Sequence, residues 1–119
     1  MKRVILTFIA TLICNNAYSI DKINASQSAF HIGENVIACG VVKQISQFKK
    51  GVYLNLNAAY PNQPLTLVVW DDHIAAVEKE MGALDAMYNK SICVSGLITK
   101  YKGRSQMKIY NGFSIKKVK

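Results

Sequence analysis

The feature that most constrains the fold is the stretch from Ser91 to Ile109, which reads SICVSGLITKYKGRSQMKI. Two runs rich in apolar and β-branched residues flank a short basic loop, as expected of an antiparallel hairpin. An earlier run, VIACGVV at residues 36–42, has the same apolar texture around a central glycine. Together they predict a small, mainly β domain.

Two further strands and one helix lie between these runs. Residues 52–57 alternate between apolar and polar side chains, which predicts a strand with one buried and one solvated face. Residues 65–70 are almost continuously apolar and predict a third strand. Asp71 or Asp72 then caps a helix over residues 73–88. Its apolar stripe consists of Ile74, Val77, Met81, Leu84 and Met87 or Tyr88.

The first strand is predicted over residues 35–48, the fourth over 91–99 and the fifth over 106–115. The glycine at position 40, in the middle of the first strand, is typical of a barrel strand that bends sharply. The segment 58–64, with two prolines, is predicted to be a loop. The element order is therefore three strands, one helix and two strands.

Residues 1–19 predict a secretory signal peptide. Two basic residues precede a short apolar core at 4–13. Residues Ala17 to Ser19 then form the small-x-small pattern after which a signal peptidase cleaves. The core is too short for a stop-transfer helix. We expect cleavage after Ser19 and a periplasmic or secreted protein with no membrane span. Lipidation of Cys14 stays open as an alternative.

Cleavage would leave a polar arm at 20–30 and one domain at 31–119. Lys2 and Arg3 account for two of the 15 basic residues, so 13 would remain against 7 acidic ones, a net charge of +6. A basic surface attracts polyanions such as nucleic acid, lipid headgroups or acidic polysaccharide. The same charge is equally compatible with plain solubility.

Catalysis has little support in the sequence. His31 and His73 are the only histidines, and neither has a nucleophile or base at an informative spacing. Asp71 and Asp72 could bind a cation, although a helix cap explains them more simply. Phosphate-loop glycines, paired Cys–His motifs and nucleophile elbows do not occur in the sequence. We therefore expect a protein that is not an enzyme and has no cofactor and no metal site.

The element order is the layout of the OB-fold, a five-stranded Greek-key barrel. The chain from Ala29 to Ile115 resembles the OB-fold nucleic-acid-binding families of the anticodon-binding and helicase-associated type, and especially their small exported bacterial members. The matching stretches are VIACGVV at 36–42, VYLNL at 52–56, LVVW at 67–70, VSGLI at 94–98, KYKGR at 100–104 and QMKI at 106–109.

Cys39 and Cys93 are predicted to form a disulfide. They fall in the first and fourth strands, which are neighbours in an OB barrel, and an exported small domain with an even number of cysteines favours a bond. Two buried free thiols are the alternative.

An OB barrel binds ligands on its second and third strands and in the loops between strands one and two and between strands four and five. Basic residues there would follow phosphates, and aromatic rings would stack on bases. The resemblance carries base contacts over to Tyr53, Asn55, Tyr101 and Arg104. The full predicted site consists of Lys49, Lys50, Tyr53, Asn55, Asn57, Lys100, Tyr101, Lys102, Arg104, Lys108 and Tyr110.

These residues predict an exported module that binds single-stranded nucleic acid with little sequence preference. Two other classes stay open: a glycan-binding module like secreted toxin B subunits, and a periplasmic module that binds proteins. The interpretation of the tyrosines and lysines as packing and edge protection also stays open.

Overall fold

The computed structural model describes residues 20–118, so the predicted signal peptide and Cys14 lie outside the described residues. Seven strands form one sheet with a single α-helix. The strands are β1 Lys22–Asn24, β2 Asn35–Phe48, β3 Gly51–Leu56, β4 Leu65–Trp70, β5 Ser91–Tyr101, β6 Arg104–Lys108 and β7 Ile115–Lys117. The helix α1 spans Asp71–Met81, and 3₁₀ turns occupy Ala25–Phe30, Leu84–Met87 and Gly112–Ser114.

Five of the strands pair in a closed ring. β2 pairs antiparallel with β3 and with β5, β3 pairs with β4, and β5 pairs with β6. β4 and β6 run parallel and close the ring. These correspond to the five predicted strands, and their order in the sheet is that of an OB barrel. The fifth strand, predicted to reach residue 115, ends at Lys108, and the 3₁₀ turn Gly112–Ser114 follows it.

The prediction of five strands was wrong in number because two short strands extend the sheet. β3 pairs only with residues 42–48 of β2 and leaves the edge at 37–39 to β1. β6 likewise pairs only with residues 98–101 of β5, and β7 takes the edge at 92–94. Long strands whose partners are short leave unpaired backbone groups, and β1 and β7 satisfy them.

Inward-facing side chains fill the barrel as the alternation in β3 predicts. The largest fully buried side chains include Leu54, Leu56, Leu65, Leu67, Ile92, Ile98 and Met107. Burying each of these contributes about 1.5–3 kcal/mol of hydrophobic stabilisation. β4 reads as a continuous apolar run because its outward-facing Val68 is also buried, with 2% of its surface exposed.

The predicted helix is shorter than expected. It ends at Met81 because Gly82 follows with φ of 85°, a conformation that glycine adopts readily. Its continuation is the 3₁₀ turn Leu84–Met87. The predicted stripe nevertheless packs on the core: Val77, Leu84 and Met87 are buried, and Ile74 and Met81 are partly buried, whereas Tyr88 is exposed.

The predicted helix cap was also wrong. Trp70 is the N-cap residue, and Asp71 and Asp72 lie in the first turn. Carboxylates in the first turn still favour the helix, because they face the positive end of its dipole.

Residues 20–30, which the sequence predicts as a polar arm, pack against the barrel. Ile23 of β1 is 8% exposed, and Ala25 is fully buried in the core. The Ser28 hydroxyl donates a 2.7 Å hydrogen bond to the Ala25 carbonyl inside this turn. These two buried apolar residues explain how a segment of polar composition can be anchored.

The predicted disulfide is confirmed by its place in the sheet. Cys39 of β2 and Cys93 of β5 are directly paired, and their sulfur atoms lie 2.07 Å apart. The bond therefore links two neighbouring strands of the barrel. Within residues 20–118 no helix is long and apolar enough to cross a membrane.

Candidate ligand-binding face

A row of polar side chains crosses the outer face of the barrel. Directly paired residues in a sheet lie on the same face. The strand registers place one such residue on each of β2, β3, β4, β6 and β5, in that order: Gln44, Asn55, Thr66, Gln106 and Thr99. We call these five residues the polar row.

Three members of the polar row are joined by hydrogen bonds that run in one direction. Gln63 Nε2 donates to Thr66 Oγ1 at 3.1 Å, and the Thr66 hydroxyl donates to Asn55 Oδ1 at 2.7 Å. Asn55 Nδ2 then donates to Gln44 Oε1 at 2.7 Å, which also accepts from the Tyr60 backbone amide at 2.8 Å. Because its oxygen accepts twice, Gln44 is held with its orientation fixed.

A cavity of about 700 Å³ lies over the polar row. Its rim carries three tyrosines, Tyr53, Tyr60 and Tyr101, and two cations, Lys102 and Arg104. Its floor includes four members of the polar row, all except Thr99, together with Gln63 and Ser46. Within residues 20–118 no acidic side chain lines this cavity. The arrangement offers aromatic faces, positive charge and side-chain amides to one ligand.

Arg104 connects two loops across the cavity. Its Nη1 donates a 2.7 Å hydrogen bond to the Pro61 carbonyl, and its guanidinium carbon lies 5.1 Å from the centre of the Tyr60 ring. Tyr60 and Pro61 belong to the β3–β4 loop, whereas Arg104 begins β6. Lys102 lies at the β5–β6 turn, where its ammonium is 5.4 Å from the centre of the Tyr101 ring. Both contacts fall within the range of cation–π attraction.

Tyr53 is stacked on one side. The rings of Phe48 and Tyr53 are parallel within 13°, with centroids 4.1 Å apart, and Trp70 meets Phe48 edge-on at 5.5 Å. One face of Tyr53 is therefore covered by the protein. Tyr60 and Tyr101 are 66% and 52% exposed and offer more ring surface to a ligand.

The structure brings five of the predicted site residues together at this cavity: Tyr53, Asn55, Tyr101, Lys102 and Arg104. Asn55 is only 3% exposed and uses both ends of its amide within the polar row. It therefore orders the floor of the cavity, whereas the other four present their side chains at the rim.

The predicted lysines at the ends of the barrel lie elsewhere. Lys49 and Lys50 are exposed at the β2–β3 turn, where Lys50 lines a separate cleft of about 280 Å³ with Trp70 and His73. Lys100 is exposed on the face of β5 opposite to that of Tyr101, because neighbouring residues in a strand alternate.

Lys108 and Tyr110 line a second cavity, of about 380 Å³, on the outer face of β5 and β6. Leu97 and Thr99 of β5 form part of its wall. The Tyr110 ring meets the His73 ring edge-on, with centroids 5.1 Å apart. Seven of the eleven predicted site residues thus line one or the other of these two cavities.

Asn57 lies outside the first cavity, and its side chain holds parts of the barrel together. Its φ of 69° lies in the left-handed region, which asparagine tolerates better than most residues. Its Oδ1 accepts from the Val41 amide at 3.0 Å, and its Nδ2 donates to Asn24 Oδ1 and Ser26 Oγ at 3.1 and 2.9 Å. A side chain on Gly40 would lie 2.7 Å from Asn57 Oδ1, so Gly40 leaves room for this amide.

Replacing Asn57 should therefore reduce stability and leave ligand binding unchanged. We expect Asn57→Gly to lower the free energy of unfolding by about 1–3 kcal/mol through loss of the side-chain hydrogen bonds. Asn57→Ala should be less stable still, because alanine disfavours a positive φ. Urea denaturation measures both. A loss of ligand affinity in a folded Asn57→Gly protein would instead return Asn57 to the binding site.

Six residues that line the first cavity were missed in the sequence: Gln44, Ser46, Tyr60, Gln63, Thr66 and Gln106. Three were detectable from alternation, because Gln44 and Ser46 share one face of β2 and Gln106 shares a face with Lys108. Tyr60 and Gln63 lie in the loop after β3, which includes a cis Tyr60–Pro61 bond and has no periodic pattern.

One group of side chains offers metal-ligand atoms. Asp21, His31 and Glu34 each place one such atom within 4.8 Å of the others. His31 Nδ1 and Glu34 Oε1 already share a 2.8 Å hydrogen bond. Asp21 and Glu34 are exposed, and the group lies outside the first cavity, so it adds no chemistry to the candidate site.

Comparison with known proteins identifies the fold. No family model matches the sequence, and no curated protein matches it. Among solved structures, the chain is similar to OBody AM1L10 bound to hen egg-white lysozyme, with a TM-score of 0.58, 11% identity and coverage of 87% of this chain and 98% of that one. It is also similar to asparaginyl-tRNA synthetase from Pyrococcus horikoshii (TM-score 0.54, 12% identity, 85% and 24% coverage).

The S. pombe Stn1–Ten1 complex is a third similar structure, with a TM-score of 0.52, 13% identity and coverage of 71% of this chain and 58% of that one. The chain thus spans about a quarter of the synthetase and under two thirds of the matched Stn1–Ten1 chain. Identity this low shows the fold alone. The protein has an OB-fold, with two short strands added to its sheet.

Proposed function

We propose that this protein is an exported, non-enzymatic OB-fold module that binds single-stranded nucleic acid at the first cavity. The observation that carries the proposal is the combination at one rim of three tyrosine rings with Lys102 and Arg104. Export rests on the predicted signal peptide. The Cys39–Cys93 bond supports it, because disulfides persist in oxidising compartments.

The side chains at the rim are complementary to the phosphates and bases of single-stranded nucleic acid. Phosphates carry negative charge at every nucleotide, and Lys102 and Arg104 supply positive charge with no acidic side chain among the described lining residues. Unpaired bases expose flat faces, and stacking on an aromatic side chain contributes about 1–3 kcal/mol per base. Tyr60 and Tyr101 are the rings with the exposed area for this contact.

The polar floor of the first cavity favours nucleic-acid bases over a polyanion that offers only negative charge. The Gln106 amide can both donate to and accept from the edges of bases, and the Gln44 amide, whose oxygen already accepts twice, can donate to them. Such edges are available in a single strand, whereas pairing hides them in a duplex. Stacking tolerates every base, so we expect little sequence preference.

The similar structures are compatible with this ligand and with one alternative. One of them is a tRNA synthetase, and the OBody is bound to a protein, lysozyme. An exposed face rich in tyrosine and amides also suits a protein or a glycan. The salt dependence of binding separates these classes, because releasing counterions from phosphates makes nucleic-acid affinity fall with salt.

The test is a fluorescence-anisotropy titration of the mature protein with labelled oligothymidylate and oligouridylate at several salt concentrations. We expect binding to both, with the logarithm of the association constant falling linearly with the logarithm of salt. Two phosphate contacts predict a slope of about −1.4, at about −0.7 for each contact to a single strand. Equal affinity for the two oligonucleotides would indicate stacking and phosphate contacts; preference for one would indicate contacts to the 2′ position or to the thymine methyl group.

No binding to either oligonucleotide at low salt would overturn the proposal. Binding to a glycan array that does not change with salt would support the sugar-binding alternative, and the absence of both would leave protein partners. An unrelated protein of similar positive charge serves as the control in the same titration, because it measures how much affinity net charge alone produces.

A further inference from the structure

We infer that the second cavity, lined by Lys108 and Tyr110, is a second subsite for the same single strand. This inference rests on the proposed function. It assigns a role to two residues that the first cavity does not include, and it makes affinity depend on the length of the ligand.

The two cavities share the outer face of the β5–β6 hairpin. Gln106 lines the first cavity and Thr99 lines the second, and these two residues are directly paired. On β6 the outward-facing residues run from Arg104 through Gln106 to Lys108, because alternate residues share a face. A ligand that lies across the Gln106–Thr99 pair therefore contacts both cavities without leaving the sheet surface.

The second cavity repeats the chemistry of the first. Tyr110 is 53% exposed, and its ring is oriented by the edge-on contact with His73. Lys108 is exposed beside it and supplies one positive charge. Hydroxyls of Ser95, Thr99 and Ser114 and the amide of Asn35 complete the polar wall, and within residues 20–118 this lining also has no acidic side chain. One ring, one cation and several polar groups suit one more nucleotide.

The spacing sets the length of ligand required. Arg104 and Lys108 are four residues apart on one strand, which corresponds to about 13 Å at about 3.3 Å per residue. A stacked strand rises about 3.4 Å per nucleotide, so about four nucleotides separate the two cations. A tetranucleotide is therefore too short to span both cations, whereas a strand of about five nucleotides or more can contact both cavities.

The experiment compares labelled dT4 and dT12 on the mature wild-type protein and on Lys108→Gln/Tyr110→Ala. The matched control is Tyr88→Ala/Lys90→Gln, which removes the same two residue types, at the same spacing, from an exposed segment that lines neither cavity. Lys108→Glu alone is a second variant whose exposed side chain is not part of the core. Circular dichroism verifies that each protein is folded.

We expect the wild-type protein and the control to bind dT12 more tightly than dT4. In Lys108→Gln/Tyr110→Ala, affinity for dT12 should fall about 5- to 150-fold, the equivalent of one stacked base, while affinity for dT4 stays unchanged. Lys108→Glu should also weaken dT12 binding only. Unchanged dT12 affinity in both variants would overturn the second subsite and leave the first intact. No binding of either oligonucleotide to wild type would overturn both.

Discussion

Reversing the charges of Lys102 and Arg104 is expected to abolish binding of single-stranded nucleic acid. Both cations lie at the rim of the first cavity, and each charged hydrogen bond to a phosphate contributes about 1.5–3 kcal/mol. The double variant Lys102→Glu/Arg104→Glu should therefore lose at least about 100-fold in affinity at low salt. The slope of affinity against salt should also become shallower by about 1.4.

The control separates local contacts from net charge. Lys116→Glu/Lys117→Glu makes the same change in total charge on β7, where both lysines are exposed and line neither cavity. It should retain most of the affinity. Because Arg104 also holds the Pro61 carbonyl, thermal unfolding must verify the fold of the first variant. Equal loss in both variants would make the attraction a property of the whole surface, and unchanged affinity in a folded first variant would remove the β5–β6 turn from the site.

Removing the Cys39–Cys93 bond should produce the largest change in stability. The cysteines are 54 residues apart, and closing a loop of that length stabilises a domain by about 4 kcal/mol on the chain-entropy account. The described domain has only about 100 residues, so this is a large share of the about 5–15 kcal/mol typical of folded proteins. We expect Cys39→Ser/Cys93→Ser to lower the melting temperature by on the order of 20 °C.

Urea denaturation with and without reductant measures this effect in the wild-type protein as well. The reduced wild type should match the double variant, which in turn should not respond to reductant. Cys39→Ala/Cys93→Ala tests whether the two partly buried serine hydroxyls add to the loss. Stability that does not change on reduction would show that the bond contributes nothing, and two free thiols after non-reducing alkylation would show that it does not form in solution.

The strands of the barrel were predictable because each one carries its own apolar or alternating pattern within a few consecutive residues. Alternation in residues 52–57, the apolar run at 65–70 and the glycine-centred apolar runs at 36–42 and 94–98 identify β2 to β5, and the second half of the predicted hairpin identifies β6. β1 and β7 were not predictable, since each has three residues and exists because a longer neighbour leaves an edge free. The early end of α1 had a signal in Gly82, but the apolar stripe continued through it into the 3₁₀ turn.

The candidate site was predictable only in part, for a related reason. Tyr101, Lys102 and Arg104 stand out as a basic hairpin turn with an aromatic residue. Their partner Tyr60 lies 44 positions from Arg104, in a loop whose path depends on the rest of the fold. Asn57 shows the opposite error, because a strand pattern assigns it to the outer face while its left-handed φ turns its amide back onto β2.

The contact of Arg104 with Tyr60 and Pro61 has a consequence for how a ligand binds. In the free protein, one face of the Tyr60 ring lies against the protein's own Arg104 guanidinium group. A base that stacks on that face must displace Arg104, and the displaced arginine becomes free to pair with the incoming phosphate. A small apolar molecule has no negative charge to pair with the displaced arginine, so nothing compensates for the lost cation–π contact with Tyr60. For the proposed ligand, Arg104 is thus an internal competitor for that face of Tyr60, and the phosphate of the same ligand compensates for the contact that is lost.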